Sequence, residues 1–225
     1  MSTCPIGGDF APWLDQGDCW RRQKGGIGRQ VLLFGGFLGS GKTTVINRLL
    51  RDMTSAGLTA AVVENELGDV GIDDTLVSQT GVQVTSLFGG CVCCQIAGDL
   101  LTAVGKIQEQ VHPDFLVVEM TGLAMMDGIR DVFARYGKPE LALHTISVVD
   151  MARWPKLLRA MEPLVRRQLS GAELVLVNKA DAVSAKAEEL EQISALAGGA
   201  PCRILSARAA EDGTVWHLLQ EVLKL

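Results

Sequence analysis

The nine residues GFLGSGKTT, from Gly36 to Thr44, set three glycines around one lysine and two threonines. That mixture suits a loop that wraps phosphate oxygens. Glycines let backbone N–H groups turn inward without a Cβ in the way. The pattern G-x4-G-K-[ST] runs through Gly36, Gly41, Lys42 and Thr43. A helix beginning at Lys42–Thr43 would add free amides and the positive end of its dipole. Gly39, Ser40 and Thr44 complete the expected cradle. Lys42 is placed to reach the β- and γ-phosphates, and the Thr43 hydroxyl to complete an octahedral Mg2+ shell.

Phosphoryl chemistry also needs an acidic group at the end of a neighbouring strand. FLVVEMTG supplies Glu119 after four apolar residues, with Gly122 three positions on. A charge ending an apolar strand is otherwise costly to bury. Lys42, Thr43 and Glu119 are therefore the expected catalytic groups, with Thr43 and Glu119 the magnesium ligands. Gly122 is placed to offer its amide to a γ-phosphate. LVLVNKAD then gives Asn178, Lys179 and Asp181. An aspartate carboxylate accepts two hydrogen bonds from the N1–H and amine of guanine, a pattern that adenine lacks. Asn178 and the Lys179 stem would shape the loop and pack on the base. LSAR, with Ser206 and Ala207, follows where a base-contacting loop is expected. The order favours GTP over ATP. The alternative is an ordinary turn in which Asp181 caps the next helix.

GGCVCC packs three of the six cysteines, Cys91, Cys93 and Cys94, into four positions. Thiolates are soft ligands suited to Zn2+, Co2+ or nickel, and C-x-C puts two sulfurs on one side of an extended segment. A fourth ligand would be water, a carboxylate or a cysteine of a second subunit. The other reading is of small buried hydrophobes. Cys4 and Cys19 lie 15 apart without a C-x2-C pair, and Cys202 reads as core. His112, His144 and His217 stand alone.

These groups need a frame. Residues 1–29 read as an irregular lead-in segment, and 30–225 as one α/β domain. Short β-branched runs alternate with helical stretches, which predicts a largely parallel β-sheet flanked by helices on both faces, a P-loop NTPase fold. Strands are expected within QVLLFGG, TAAVVEN, VQVTSL, DFLVVEM, HTISVVD, AELVLVN and CRILSA. Helices are expected over Thr43–Ser55, Ile96–Gln110, Ala185–Leu196 and Thr214–Leu225. The net charge of −5 argues against nucleic acid or an anionic membrane as a partner. No apolar run approaches the ~20 residues of a membrane span, and the N-terminus does not read as a secretory signal. A cytoplasmic setting with reduced thiols is the expectation.

Four elements, GFLGSGKTT, ENELG, GCVCC and EMTGLA, resemble the CobW-type members of the P-loop GTPase group that also includes UreG, HypB and MeaB. The resemblance runs from Val31 to Leu225. It implies a GTPase that loads metal or cobalamin into client enzymes. It makes Cys91, Cys93 and Cys94 candidate ligands for a thiophilic metal, Zn2+ or Co2+ first. Glu64 and Glu66 match a nucleotide-responsive loop that helps bind magnesium or the metal. Met120 stands where the family usually has a small hydroxyl residue. CobW-type proteins usually carry a second, often histidine-rich domain. Leu225 follows the last expected helix, so the expectation is a GTPase domain without it. A client metalloenzyme or corrinoid protein would then meet the GTPase face directly or through a separate protein. No arginine finger stands out, which implies slow turnover assisted by a homodimer or a partner. The alternative is a G-protein gatekeeper of a corrinoid-dependent methyltransferase or mutase with a structural zinc. A small-molecule kinase is a third reading, against which N-K-x-D argues.

Overall fold

The computed structural model describes residues 29–64, 83–86, 93–120, 122, 126–138 and 141–225. The strands are β1 (Arg29–Gly35), β2 (Ala60–Glu64), β3 (Gln83–Ser86), β4 (Phe115–Glu119), β5 (Leu141–Asp150), β6 (Leu174–Asn178) and β7 (Cys202–Ile204). The helices are α1 (Lys42–Ser55), α2 (Cys93–Gln110), α3 (Met126–Tyr136), α4 (Trp154–Leu169), α5 (Ala187–Leu196) and α6 (Thr214–Leu223), with a 3-10 turn at Met151–Arg153. Every expected strand run forms a strand. The four expected helices form within a few residues of their predicted ends, and α3 and α4 are added to them. The α4 pattern was harder to read because Met161 leaves helical geometry at φ −144° and Pro163 sits inside the helix. The lead-in with Cys4 and Cys19 lies outside the described residues, as do Glu66 and Cys91.

The sheet runs β3-β2-β4-β1-β5-β6-β7, all pairs parallel. Alternation along the strands decides which helices cover each face. Leu32 and Phe34 of β1 point to one side, with Val45, Ile46, Leu49 and Leu50 of α1 and Val215, Trp216 and Leu219 of α6. Val31 and Leu33 point to the other, with Leu100 and Val104 of α2 and Ile129 and Phe133 of α3. Val175 and Val177 of β6 pack with Trp154, Val165 and Leu169 of α4 and Ile193 of α5. Covered on both faces, the strands read as unbroken apolar runs rather than alternating ones.

β1 sits between β4 and β5 although α1 leads on to β2. This reversal of strand order makes a crevice at the carboxyl ends of the strands, where ligands of open α/β sheets bind. Two polar groups hold distant parts of this frame. Asp52 of α1 accepts from the backbone N–H groups of Gly213 (2.8 Å), Val215 (3.0 Å) and Trp216 (3.2 Å), capping α6 from a neighbouring helix. His144 contacts Glu173 (3.1 Å) and Gln30 (2.8 Å), in the half of β5 away from the crevice. His112 and His217 are exposed, and Cys202 is half-buried at the start of β7, where burial raises its thiol pKa. None of the described helices is long and apolar enough to cross a membrane.

Candidate nucleotide site

The turn after β1 is built as its glycines dictate. Gly36, Gly39 and Gly41 have φ of 133°, 74° and 95°, values that favour glycine. A Cβ on Gly36 would lie 2.2 Å from Val148 O, and one on Gly41 would lie 2.4 Å from Asn178 Nδ2. Gly41 caps α1, so the first amides of that helix face the loop interior. Lys42 is buried, with Nζ 3.2 Å from Gly36 O and 3.5 Å from Phe37 O. Its ammonium therefore lies along the loop rather than in solvent. Ser40 is buried and Thr44 half-buried beside it.

Glu119 ends β4 with 2% exposure, and Thr43 Oγ1 donates to its Oε1 at 2.8 Å. Neighbouring ligands of an octahedral magnesium are about 2.9 Å apart. Two hard oxygens at this spacing fit Mg2+ as direct ligands or as anchors for its waters. Gly122 is buried against the loop, where a Cβ would lie 2.6 Å from Leu38 N. Its carbonyl accepts from Gln168 Nε2.

On the other side of the loop, Asn178 is a strut. Its Nδ2 donates to Ser40 O at 3.0 Å, and its Oδ1 accepts from Ala207 N at 3.0 Å. The Ala207 amide thus braces the β7–α6 loop rather than standing open to a base, while Ser206 is half-buried next to it. Lys179 takes a left-handed φ of 67°. Its Nζ donates to Gly39 O and Asp150 Oδ2, each at 2.7 Å. Asp181 is exposed on the following turn. It does not cap α5, which starts at Ala187 behind Lys186.

Three contributors were missing from the sequence reading. Asp150 ends β5 and is buried, binding Lys179 and accepting from Arg153 N at 3.2 Å. Arg153 also donates to Leu38 O at 3.0 Å. Gln168 reaches Gly122 from α4. Asp150 carried a readable signal, since ISVVD ends an apolar strand on an acid just as FLVVE does.

The thiol segment is placed by backbone alone. Cys93 and Cys94 open α2, so this part of C-x-C-C is helical rather than extended; their side chains and that of Glu64 lie outside the described residues. Strand register gives a row Phe34, Glu119, Glu64, Ser86 across four strands. Among the described residues no group of three His, Cys, Asp or Glu side chains forms a metal cluster.

The arrangement can grip a triphosphate through Gly36–Thr44, hold its magnesium through Thr43 and Glu119, and offer Asp181 to a base. Asp181→Ala is expected to lower the preference for GTP over ATP about tenfold or more, from two lost bonds to a charged acceptor. Competition of GTP and ATP against labelled GDP measures this. An unchanged preference would remove Asp181 from base selection.

The family described as CobW/HypB/UreG, nucleotide-binding domain, matches residues 30–202. The zinc chaperone YeiR of Escherichia coli (strain K12) is 34% identical over 166 residues, 71% of this chain and 49% of YeiR. The zinc chaperone YjiA of the same organism is 31% identical over 170 residues, 72% of this chain and 52% of YjiA. The chain spans about half the length of these curated relatives. A solved structure of a Zn(II)-bound triple mutant of the YjiA GTPase superposes with a TM-score of 0.59 at 26% identity, over 78% of this chain and 57% of that one.

Proposed function

The chain belongs to the CobW/HypB/UreG nucleotide-binding family, and from that premise we propose that it is a GTP-hydrolysing metal chaperone. Its nucleotide state would control a thiolate site for the cargo metal. The names of its relatives support zinc as the cargo, with Co2+ the next thiophilic candidate. A chaperone needs a recipient, so the partner is a client metalloprotein.

One observation carries the coupling. Glu64 lies in register with Glu119, whose carboxylate takes the Thr43 hydroxyl. Glu64, the first residue of ENELG, ends β2 beside the strand that carries this magnesium-side carboxylate. Ser86, in register with Glu64, ends the strand that leads on to Cys91, Cys93 and Cys94. The strands that precede the metal segment and the phosphate loop thus end on the carboxyl side of one parallel sheet, which supports a γ-phosphate that orders both.

In hydrolysis, a water attacks the γ-phosphorus, the bond to the β–γ bridging oxygen breaks, and GDP and inorganic phosphate result. Lys42 and the loop amides stabilise charge on the phosphates. Thr43 and Glu119 would hold magnesium, and the ion would supply neutralising charge to the phosphate oxygens. With the γ-phosphate gone, the amide of Gly122 loses its acceptor, and the thiolates, together with Glu64 and Glu66, release the metal to the client.

The test is titration of Zn2+ and Co2+ into apo, GDP-bound and GTP-analogue-bound protein, followed by thiolate-to-metal absorption. A coupling of the usual allosteric size predicts affinities that differ about 5- to 150-fold between the GDP and GTP-analogue states. Equal affinities in all three states would end the proposal. Cys93→Ser is expected to leave a folded GTPase that no longer binds the metal. Lost folding stability instead would mark a structural zinc.

A further inference from the structure

The sequence does not flag α4, yet it carries an unusual charge pattern on an acidic protein. Its inward face buries Trp154, Val165, Gln168 and Leu169. Arg153, Lys156, Arg159, Arg166 and Arg167 are all exposed. Lys156 and Arg159, three apart, lie before the break at Met161, and Arg166 and Arg167 after it, all on the solvent side opposite the buried residues. The basic positions thus run from the 3-10 turn through both arms of α4.

Glu162 is the only acid between positions 151 and 170, and it pairs with Arg166 at 3.0 Å. Arg159 Nε donates to Pro155 O at 3.1 Å. Among the described residues, Lys156 and Arg167 face no ion-pair partner. An ordinary solvated face mixes the two signs of charge. This one carries nearly one sign, although the whole chain has a net charge of −5.

The helix also touches the nucleotide site at two points. At its start Arg153 donates to Leu38 O in the tip of the phosphate loop. Near its end Gln168 donates to Gly122 O. A molecule seated on the outer face of α4 would therefore rest on an element bonded to both loops expected to sense the γ-phosphate.

We propose that the outer face of α4 docks an acidic segment of a partner protein. Guanidinium groups take carboxylates in bidentate pairs, and the stripe offers four of them and one ammonium. Five cations fall short of the roughly 6 to 10 phosphate contacts of a well-anchored nucleic-acid complex, whereas a short acidic segment needs only a few bidentate pairs. Only Met161 offers a large apolar side chain on this face, too little for insertion into a bilayer. The proposal is independent of the metal reading.

Its test uses the full chain and three probes: fluorescein-labelled deca-glutamate, labelled deca-thymidylate and phosphatidylglycerol vesicles. Deca-glutamate is expected to bind at low salt and to weaken as salt rises. The variant K156E/R159E/R167E is expected to weaken it about tenfold or more. K156Q/R159Q/R167Q should give an intermediate loss, and K106E, on α2, no change. Thermal unfolding midpoints close to the parent's show that the variants are folded. Should the triple reversal unfold the protein, the glutamine variant alone decides. Equal binding by parent and variants would overturn the proposal. So would tighter binding of deca-thymidylate or of the vesicles. If the reversal instead dissociates a dimer in sedimentation, the occupant is a second copy of this chain, and the proposal fails.

Discussion

Lys42→Ala is expected to lower GTP turnover about 100- to 1,000-fold, the usual cost of removing one preorganised group aimed at developing charge. The side chain is 3% exposed and runs back along its own loop, with Nζ within 3.5 Å of two of the loop carbonyls. A cation held there needs no reorganisation when negative charge grows on the transferred phosphoryl group. The fold should survive, because α1 keeps its buried face of Val45, Ile46, Leu49, Leu50 and Met53. Lys42→Arg should not rescue, since a planar fork on this stem cannot replace a compact ammonium between loop carbonyls. Single-turnover hydrolysis followed by phosphate release measures the effect. Turnover within about threefold of the parent would remove Lys42 from the chemistry.

Asp52→Ala has the largest expected effect on stability. Both carboxylate oxygens cap the start of α6, and the residue is 3% exposed. Truncation leaves three backbone amides without their acceptor and removes a negative charge from the positive end of a helix. A lost cap alone costs about 1 kcal/mol, and charge-assisted bonds raise the figure to about 2–3 kcal/mol. For a chain of this size the midpoint of thermal unfolding should fall by about 5–10 °C. Asp52→Asn, which keeps an acceptor, should recover part of that. A fall of less than about 1 °C would show that the α6 amides find other partners.

The contrast between these two residues explains what could be read in advance. Lys42 announces itself because its loop demands glycine, lysine and threonine at fixed spacing. The parallel sheet was equally legible, since strands covered on both faces appear as solid apolar runs. Asp52 was silent. Its partners are more than 160 positions away, and a lone aspartate in an amphipathic helix looks like any solvated residue. Gln168 was silent as a member of a helix whose periodicity Met161 and Pro163 interrupt, and Arg153 as the end of the short turn that leads into it. Asn178 was legible as part of N-K-x-D, but its work as a strut depends on the β7–α6 loop, which brings the Ala207 amide to its side chain. Asp150 was readable and missed, as a strand-ending acid outside any familiar spacing.

The division of labour across Asn178, Lys179 and Asp181 has a wider consequence. Two of these neighbours are committed inward, to the scaffold, and only the third faces outward. With Asp181 reading the base as proposed, a single exposed position would set which purine is accepted, apart from the residues that brace the phosphate loop. The reverse does not hold. A change at Asn178 disturbs Ser40 and Ala207 together, so drift there is punished twice. On that proposal, nucleotide specificity is an adjustable fitting mounted on an unforgiving frame.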